Sequence, residues 1–279
     1  MKKDSKYFFM MFFGLILLAF VFQSGVIAAG QKRPFKWMDD EDYNPFIYKT
    51  VDGKPAGFYK DLMVEVFRRM DVPLQCEVYP WKRAQKYVEE GIGDGMVTTL
   101  TKTRTKLFIA TEPLFINSER VFTRKDNPRI REIMAVDSIE GLKPFKIVET
   151  IGSGWAEEHF KDLNIEWAPT YTSALNMLAN GRVDAYILGY YPGMADIVER
   201  INNKVHYSEK LKKIVVSRNS LVEIPFCLLI RKNSEYVSII PRFNNILKLL
   251  KKNGTYQVMF KKYFSEAMKI PEGVQERSF

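Results

Sequence analysis

Residues 43–62 read YNPFIYKTVDGKPAGFYKDL, and their hydrophobic period changes partway along. Two short apolar strips, 46–51 and 55–58, flank Asp52-Gly53, the pair that best tolerates the positive φ of a tight hairpin turn. From Asp61 onward Leu62, Met63, Val66, Phe67 and Met70 recur with helical spacing, while Glu65, Arg68 and Arg69 take the solvent side. The stretch predicts a hairpin running into a packed helix, and by itself no activity.

Alternation of strand and helix continues outward from it. Residues 74–79 alternate as a strand, Pro80-Trp81 opens a helix through Glu89, glycines at 91, 93 and 95 end it, and 96–100 is another apolar strip. A polar turn over 101–106 leads to an extended run, 108–115, interrupted by Pro113. A strand at 120–123 then enters a charged linker, 124–131. The second unit begins with a turn at 139–142, a strand at 146–150, the loop Gly152-Ser153-Gly154 and a helix over 155–163. It continues with a strand at 165–168, a helix over 172–179 with Leu175 and Leu178 inward, a strand at 183–188 and a helix over 192–201. The chain returns through an apolar run, 223–230, and closes on helices at 236–252 and 256–264. This order is the signature of an α/β fold, a mostly parallel sheet with helices on its faces. Pro225 argues against a central position for that part of its strand and fits a crossing between two bodies.

Lys2, Lys3 and Lys6 precede an uncharged run, 7–22, and small residues follow at Ala28, Ala29 and Gly30, the three-part layout of a secretory signal. The competing reading is a membrane anchor, since 7–30 would span a bilayer of roughly 30 Å if all helical. The small-residue end, with Gly25 and Gly30, favours cleavage after residue 29, and no cysteine near the junction suggests a lipid anchor. A periplasmic chain of 250 residues would remain, enough for two lobes. Losing three Lys and one Asp takes the formal net charge from +9 to +7. A basic balance could favour an anionic ligand or simply confer solubility. The basic residues are scattered and form no nucleic-acid motif. Cys76 and Cys227 would meet an oxidising compartment, but both read as core-facing positions of separate strands, which argues against a bridge.

The order of elements and their landmark residues resemble the bacterial extracellular solute-binding proteins of family 3, the polar amino acid receptors of ABC importers, and especially a Pro-Trp-x-Arg-Ala branch. The landmarks are Tyr43-Asn44-Pro45-Phe46, Gly57-Phe58 with Asp61-Leu62, Pro80-Trp81-Lys82-Arg83-Ala84, Gly91 with Asp94-Gly95, Thr101 with Arg104, Pro113, Gly152 with Gly154, Asn180-Gly181-Arg182-Val183-Asp184-Ala185, and Asn253-Gly254-Thr255-Tyr256. Each is weak alone, and their collinear order carries the assignment. The resemblance implies a type II periplasmic-binding-protein fold, two α/β lobes that close on a ligand. Lobe 1 would be discontinuous, 30–117 and 223–279; lobe 2 would be 124–220; the hinge crossings would be 118–123 and 221–222.

It also implies a site. Arg104 matches the arginine that grips the ligand carboxylate, a task for which a planar guanidinium offers two parallel donors. Thr99 matches a position that helps hold the same group, and Tyr43 and Trp81 match aromatic walls. Arg83 either reaches the cleft or pairs with Glu89 or Glu90. On lobe 2, Thr150 and Gly154 match contact positions, although the glycines at 152 and 154 also read as turn geometry, and Trp155 could cap the cleft. One departure stands out. Where the family's amino acid receptors carry an aspartate for the ligand ammonium, this chain has Gly189, in Tyr186-Ile187-Leu188-Gly189-Tyr190-Tyr191. Either another acid supplies the charge, with Asp40, Asp42 and Glu119 as candidates, or the ligand is not an ordinary α-amino acid, and Tyr190 and Tyr191 suggest a flatter or more apolar one.

Three functional classes remain open: a receptor that delivers a small carboxylate-bearing solute to ABC importer membrane subunits, a sensory receptor for a membrane signalling protein, and a dehydratase-like enzyme on the same fold. The sequence disfavours the enzyme. Only His159 and His206 could serve as imidazole bases, and both have charged, surface-like neighbours. Ile151 occupies the place where a nucleophile elbow needs its first glycine. No phosphate loop, metal-ligand spacing or dinucleotide fingerprint appears, so no cofactor and no metal are expected. The expected partners are the solute and a membrane protein, not nucleic acid, and the expected state is a monomer.

Overall fold

The computed structural model describes residues 33–204, 208–265 and 276–277; the expected signal peptide, 1–29, and His206 lie outside them. In chain order the strands are β1 (Phe35–Asp40), β2 (Asp42–Tyr43), β3 (Ile47–Lys49), β4 (Pro55–Ala56), β5 (Leu74–Tyr79), β6 (Gly95–Thr98), β7 (Phe108–Arg124), β8 (Lys146–Thr150), β9 (Asn164–Ala168), β10 (Ala185–Gly189), β11 (Ile214–Ser217), β12 (Val222–Arg231) and β13 (Glu276–Arg277). The hairpin read from residues 43–62 is present: Tyr48 pairs with Ala56 and Lys49 with Pro55, around Gly53 at φ 81°. The helix that follows, Phe58–Arg69, starts three residues before the expected point. Gly57, at φ 120°, turns the chain into it; a Cβ there would lie 2.5 Å from the Phe46 carbonyl oxygen.

The main sheet runs β5-β1-β6-β12-β7-β10-β8-β9, with β11 joining β7 and β13 joining β11. Its wings are parallel, as the βα alternation requires. Its centre is antiparallel, because β12 and β7 run through it as long crossing strands. The sheet is therefore mixed rather than mostly parallel. The two runs expected at 108–115 and 120–123 are one strand of 17 residues. Pro113 does not break it, since it faces Cys227 next to a register shift where the ladder is already irregular. Pro225 pairs with Ile116 of β7 only, and β6 joins β12 from Cys227 onward, so the missing N–H falls on an open edge.

Four buried clusters cover the two faces of each half, which is the two-lobed α/β plan. In the first half one face packs Phe35, Trp37 and Val97 against the helices Phe58–Arg69, Ile240–Lys252 and Thr255–Phe264, and the other packs Met38, Met96 and Leu229 against Trp81–Glu89. In the second half Val148, Tyr186 and Leu188 face the helices Tyr171–Ala179 and Tyr190–Asn202, while Ile147, Ala185 and Ile187 face Gly154–His159. The last of these is shorter than the 155–163 expected. Strand β11, too short to show a period, was not anticipated. Cys76 and Cys227 are free; they sit on β5 and β12, three strand spacings or about 14 Å apart in the sheet, beyond the reach of a disulfide. Among the described residues no helix is long and apolar enough to cross a membrane.

Phe264 anchors the C-terminal helix. Its fully buried ring lies 4.3–5.4 Å from those of Phe46, Phe58, Tyr191 and Phe260. Phe264→Ala is expected to cost about 3–5 kcal/mol, measured as a shift in the urea unfolding midpoint. A loss below about 1 kcal/mol would mean that this helix contributes no core.

Candidate functional site

Arg104 opens a short 3-10 helix just after β6, and it is buried, with 6% of its surface exposed. Its Nη1 donates to Thr98 Oγ1 at 3.1 Å and to the Thr99 carbonyl at 2.9 Å, and its Nη2 donates to Gln85 Oε1 at 2.7 Å. These bonds fix the guanidinium and use three of its five N–H groups, leaving two for an incoming acceptor. Burial pushes its pKa down to about 10, so it stays a cation at neutral pH. Trp81 lies beneath it, with the guanidinium carbon 5.7 Å from the ring centre.

The second half meets this cation closely. A Cβ on Gly154 would lie 3.1–3.5 Å from the two terminal guanidinium nitrogens and the carbon between them, so the absence of a side chain allows this close approach. Trp81 Nε1 and Gln85 Nε2 both donate to the Gly152 carbonyl, at 2.9 and 3.1 Å. The backbone N–H groups of Lys102 and Thr103 donate to the Glu158 carboxylate at 3.1 and 3.0 Å. Gln85 thus ties the Arg104 guanidinium to the closing contact through its two amide ends.

Around the enclosed space stand four buried carboxyl groups, Asp39, Asp40, Glu119 and Glu149. Desolvation holds all of them above the usual carboxylate range: Asp39 is pushed up to about 7 and Glu119 to about 8, and Asp40 and Glu149 are also raised well above it. Asp39 is tied down by the Trp37 indole N–H at 2.6 Å and the N–H groups of Val97 and Asp40, both at 2.8 Å. Glu119 accepts from Asn117 Nδ2 at 2.8 Å, and Glu149 from the Thr150 N–H at 3.2 Å. Among the described residues no group of His, Cys, Asp and Glu is arranged to hold a metal ion.

Of the residues expected at the site, Tyr43, Trp81, Thr99, Arg104, Thr150, Gly154, Trp155 and Gly189 line this cavity. Tyr43 also belongs to the core, stacking on Phe46 and Phe226 at 5.2 and 5.8 Å. Thr150 Oγ1 bonds Tyr186 Oη at 2.8 Å. Two residues do not reach the cavity. Arg83 is exposed, because Trp81, Ala84, Gln85 and Val88 form the inward stripe of their helix and position 83 falls on its back. Tyr190 turns to the opposite side of β10, where Arg120 covers its ring at 4.1 Å. Tyr191 likewise packs on Phe260 and Phe264. Of the three acids considered for the ammonium, Asp40 and Glu119 face the cavity. Asp42 lines a separate cleft beside Asp196 and Glu199. His159 is exposed on its helix, as expected.

Asp39, Gln85, Asn117 and Glu149 were not anticipated. A signal existed for two of them: Asp39 and Glu149 sit at the carboxyl ends of the parallel strands β1 and β8, where open α/β sheets bind ligands. Gln85 and Asn117 carry no such mark, since their importance comes from partners 67 and 74 residues away.

The sequence pattern of the bacterial extracellular solute-binding proteins, family 3, matches residues 35–266. A probable amino-acid-binding protein of Bacillus subtilis (strain 168), YxeM, is 23% identical over 239 residues, covering 82% of this chain and 83% of that protein. An arginine-binding periplasmic protein of Mannheimia haemolytica is 23% identical over 258 residues, covering 86% and 94%. A solved histidine kinase sensor domain with similarity to periplasmic binding proteins superimposes with a TM-score of 0.70 at 22% identity, covering 84% of this chain and 96% of that one. The fold is thus the two-lobed type II periplasmic-binding-protein fold.

The raised acids have a consequence for stability. In the unfolded chain Asp and Glu titrate near 4, whereas folded Asp39 and Glu119 keep their protons to about 7 and 8. Between about pH 5 and 8 the folded state therefore binds more protons than the unfolded one, and stability falls as pH rises. The melting temperature of the unliganded protein is expected to drop across this range, and Glu119→Gln to flatten the drop. A melting temperature that climbs from pH 5 to 8 would refute the assignment.

Proposed function

The chain belongs to the bacterial extracellular solute-binding proteins, family 3, and on that footing we propose that it is a periplasmic receptor that closes on a small α-amino acid and delivers it to an ABC importer. The observation that carries the reading is the pairing, around one cavity, of a single pre-positioned guanidinium with several buried acids. A zwitterion carries the complementary charges: its carboxylate suits the free donors of Arg104, and its ammonium suits an acid wall. The acids support the first of the two alternatives raised by Gly189, that another residue replaces the missing aspartate, over a ligand without an ammonium. Arg104, Thr99, Trp81, Thr150 and Gly154 are the proposed ligand contacts. Closure swings about the crossings 118–123 and 221–222, with Gly152 and Glu158 as the closing contacts. The cleavable leader at 1–29 belongs to this reading, as does a monomeric state.

Binding and not catalysis is the activity assigned. The curated relatives are named as amino acid and arginine binders.

A thermal-shift panel of the twenty amino acids, dicarboxylates and aromatic acids tests the ligand class. A ligand that binds only the folded state stabilises it by about 2.7 kcal/mol at a hundredfold excess over Kd, and at least one amino acid is expected to do so. Arg104→Ala should weaken that ligand by about thirty- to several-thousand-fold in calorimetry, the cost of roughly 2–5 kcal/mol for truncating one member of a buried charge pair. Unchanged affinity would overturn the carboxylate grip. Uptake of the labelled amino acid should fall in cells lacking this chain; normal uptake with a lost signalling response would replace the importer by a sensor partner.

A further inference from the structure

Gly189 ends β10 opposite Glu119 of β7. Strand alternation puts Glu119 and Asn117 on the same face of β7, and Gly189 and Ile187 on the corresponding face of β10. The next strand, β8, brings Glu149 to that face, since Ala185 and Tyr186 pair with Ile147 and Val148. A side chain at position 189 would displace the Asn117 amide from this place: a Cβ there would lie 2.2 Å from Asn117 Nδ2 and 2.7 Å from Asn117 Oδ1. The space that a longer residue at 189 would need is filled by the Asn117 amide.

That amide is committed to positioning. Asn117 is 1% exposed, and its Nδ2 donates to Tyr43 Oη at 3.1 Å and to Glu119 Oε1 at 2.8 Å. Its Oδ1 is buried without a hydrogen-bond partner among the described residues. Glu119 itself uses one oxygen for Asn117, and no described residue donates to Oε2. Asp39, by contrast, accepts from three donors that engage both of its oxygens.

Resting on the amino acid reading above, we infer that Glu119, held by Asn117, is the carboxylate that receives the ammonium of an α-amino acid whose carboxylate lies on Arg104. The pair Asn117–Glu119 on β7 thereby does from one side of the sheet what a side chain at 189 would do from the other. Asn117 is a positioning residue, and Glu119 is the specificity-determining one. The site therefore selects for the α-ammonium itself, whatever side chain the solute carries.

The test is calorimetry on the full chain with three matched pairs, each an amino acid and its counterpart lacking only the α-ammonium: L-arginine and 5-guanidinopentanoate, L-glutamine and 4-carbamoylbutanoate, L-phenylalanine and 3-phenylpropanoate. The wild type is expected to prefer the amino acid of its best pair by about thirty- to several-thousand-fold, the range for a desolvated charge pair. Glu119→Gln should collapse that preference to a few-fold while the Arg104-dependent affinity for the counterpart remains. Glu119→Asp, which keeps the charge on a shorter arm, should retain part of the preference and serves where the amide variant fails to fold. A preference that survives Glu119→Gln, or a wild type that binds both members of a pair equally, overturns the inference while leaving the carboxylate reading standing. Where the thermal-shift panel selects another amino acid, that amino acid and its counterpart lacking the α-ammonium form the pair measured; stabilisation by none of the twenty overturns the amino acid reading, and this inference with it.

Discussion

Strand β7 pairs with β12 from Arg231 opposite Phe108 to Val222 opposite Glu119, and then with β10 from Gly189 opposite Glu119 to Tyr186 opposite Phe122. One continuous strand thus belongs to both halves, and Glu119 stands where its partners change. Everything in the cleft depends on this handover. It sets how the Arg104 side and the Gly154 side face each other, and it places Asn117 and Glu119 on the seam instead of on either wall.

The second constraint is electrostatic. Burying four carboxyl groups near one guanidinium is unfavourable if all are charged, and the fold meets this by leaving acids protonated or saturating them with donors. Asp39 takes the second route with three N–H partners, and desolvation still holds its pKa up. Among the described residues the Glu119 carboxylate has a single donor. An arriving cation shifts its balance, because a charged partner favours the ionised form that desolvation opposes. The site proposed here is thus suited to an ammonium, and the same desolvation that raises the acids strengthens any charge-assisted bond formed there.

Much of this was legible in the sequence, and the misses have identifiable causes. Residues 43–62 announce their hairpin and helix because Asp52-Gly53 and the Leu62–Met70 stripe are local signals. Arg104, Trp81, Gly154 and Gly189 could be placed through resemblance, and all four line the cavity. Of the two readings of Arg83, reaching the cleft or pairing with Glu89 or Glu90, the first is disfavoured by its helical phase relative to Trp81, which leaves it exposed. Tyr190 was misplaced because the face it adopts depends on Arg120, 70 residues earlier. The continuity of β7 was hidden by Pro113, whose tolerance comes from a register shift visible only once β12 lies alongside. Asn117 reads in sequence as an ordinary polar residue in an extended run. Its role exists only because Gly189 leaves room for it across the ladder.

The most direct measurement is a crystal structure of the protein with its strongest stabilising amino acid bound. The account predicts the ligand carboxylate on the two free donors of Arg104 and its ammonium within hydrogen-bond distance of Glu119, with the Trp81 and Gln85 bonds to the Gly152 carbonyl intact. A ligand seated with its carboxylate away from Arg104, or with its ammonium on another group while Glu119 keeps only Asn117, would contradict it.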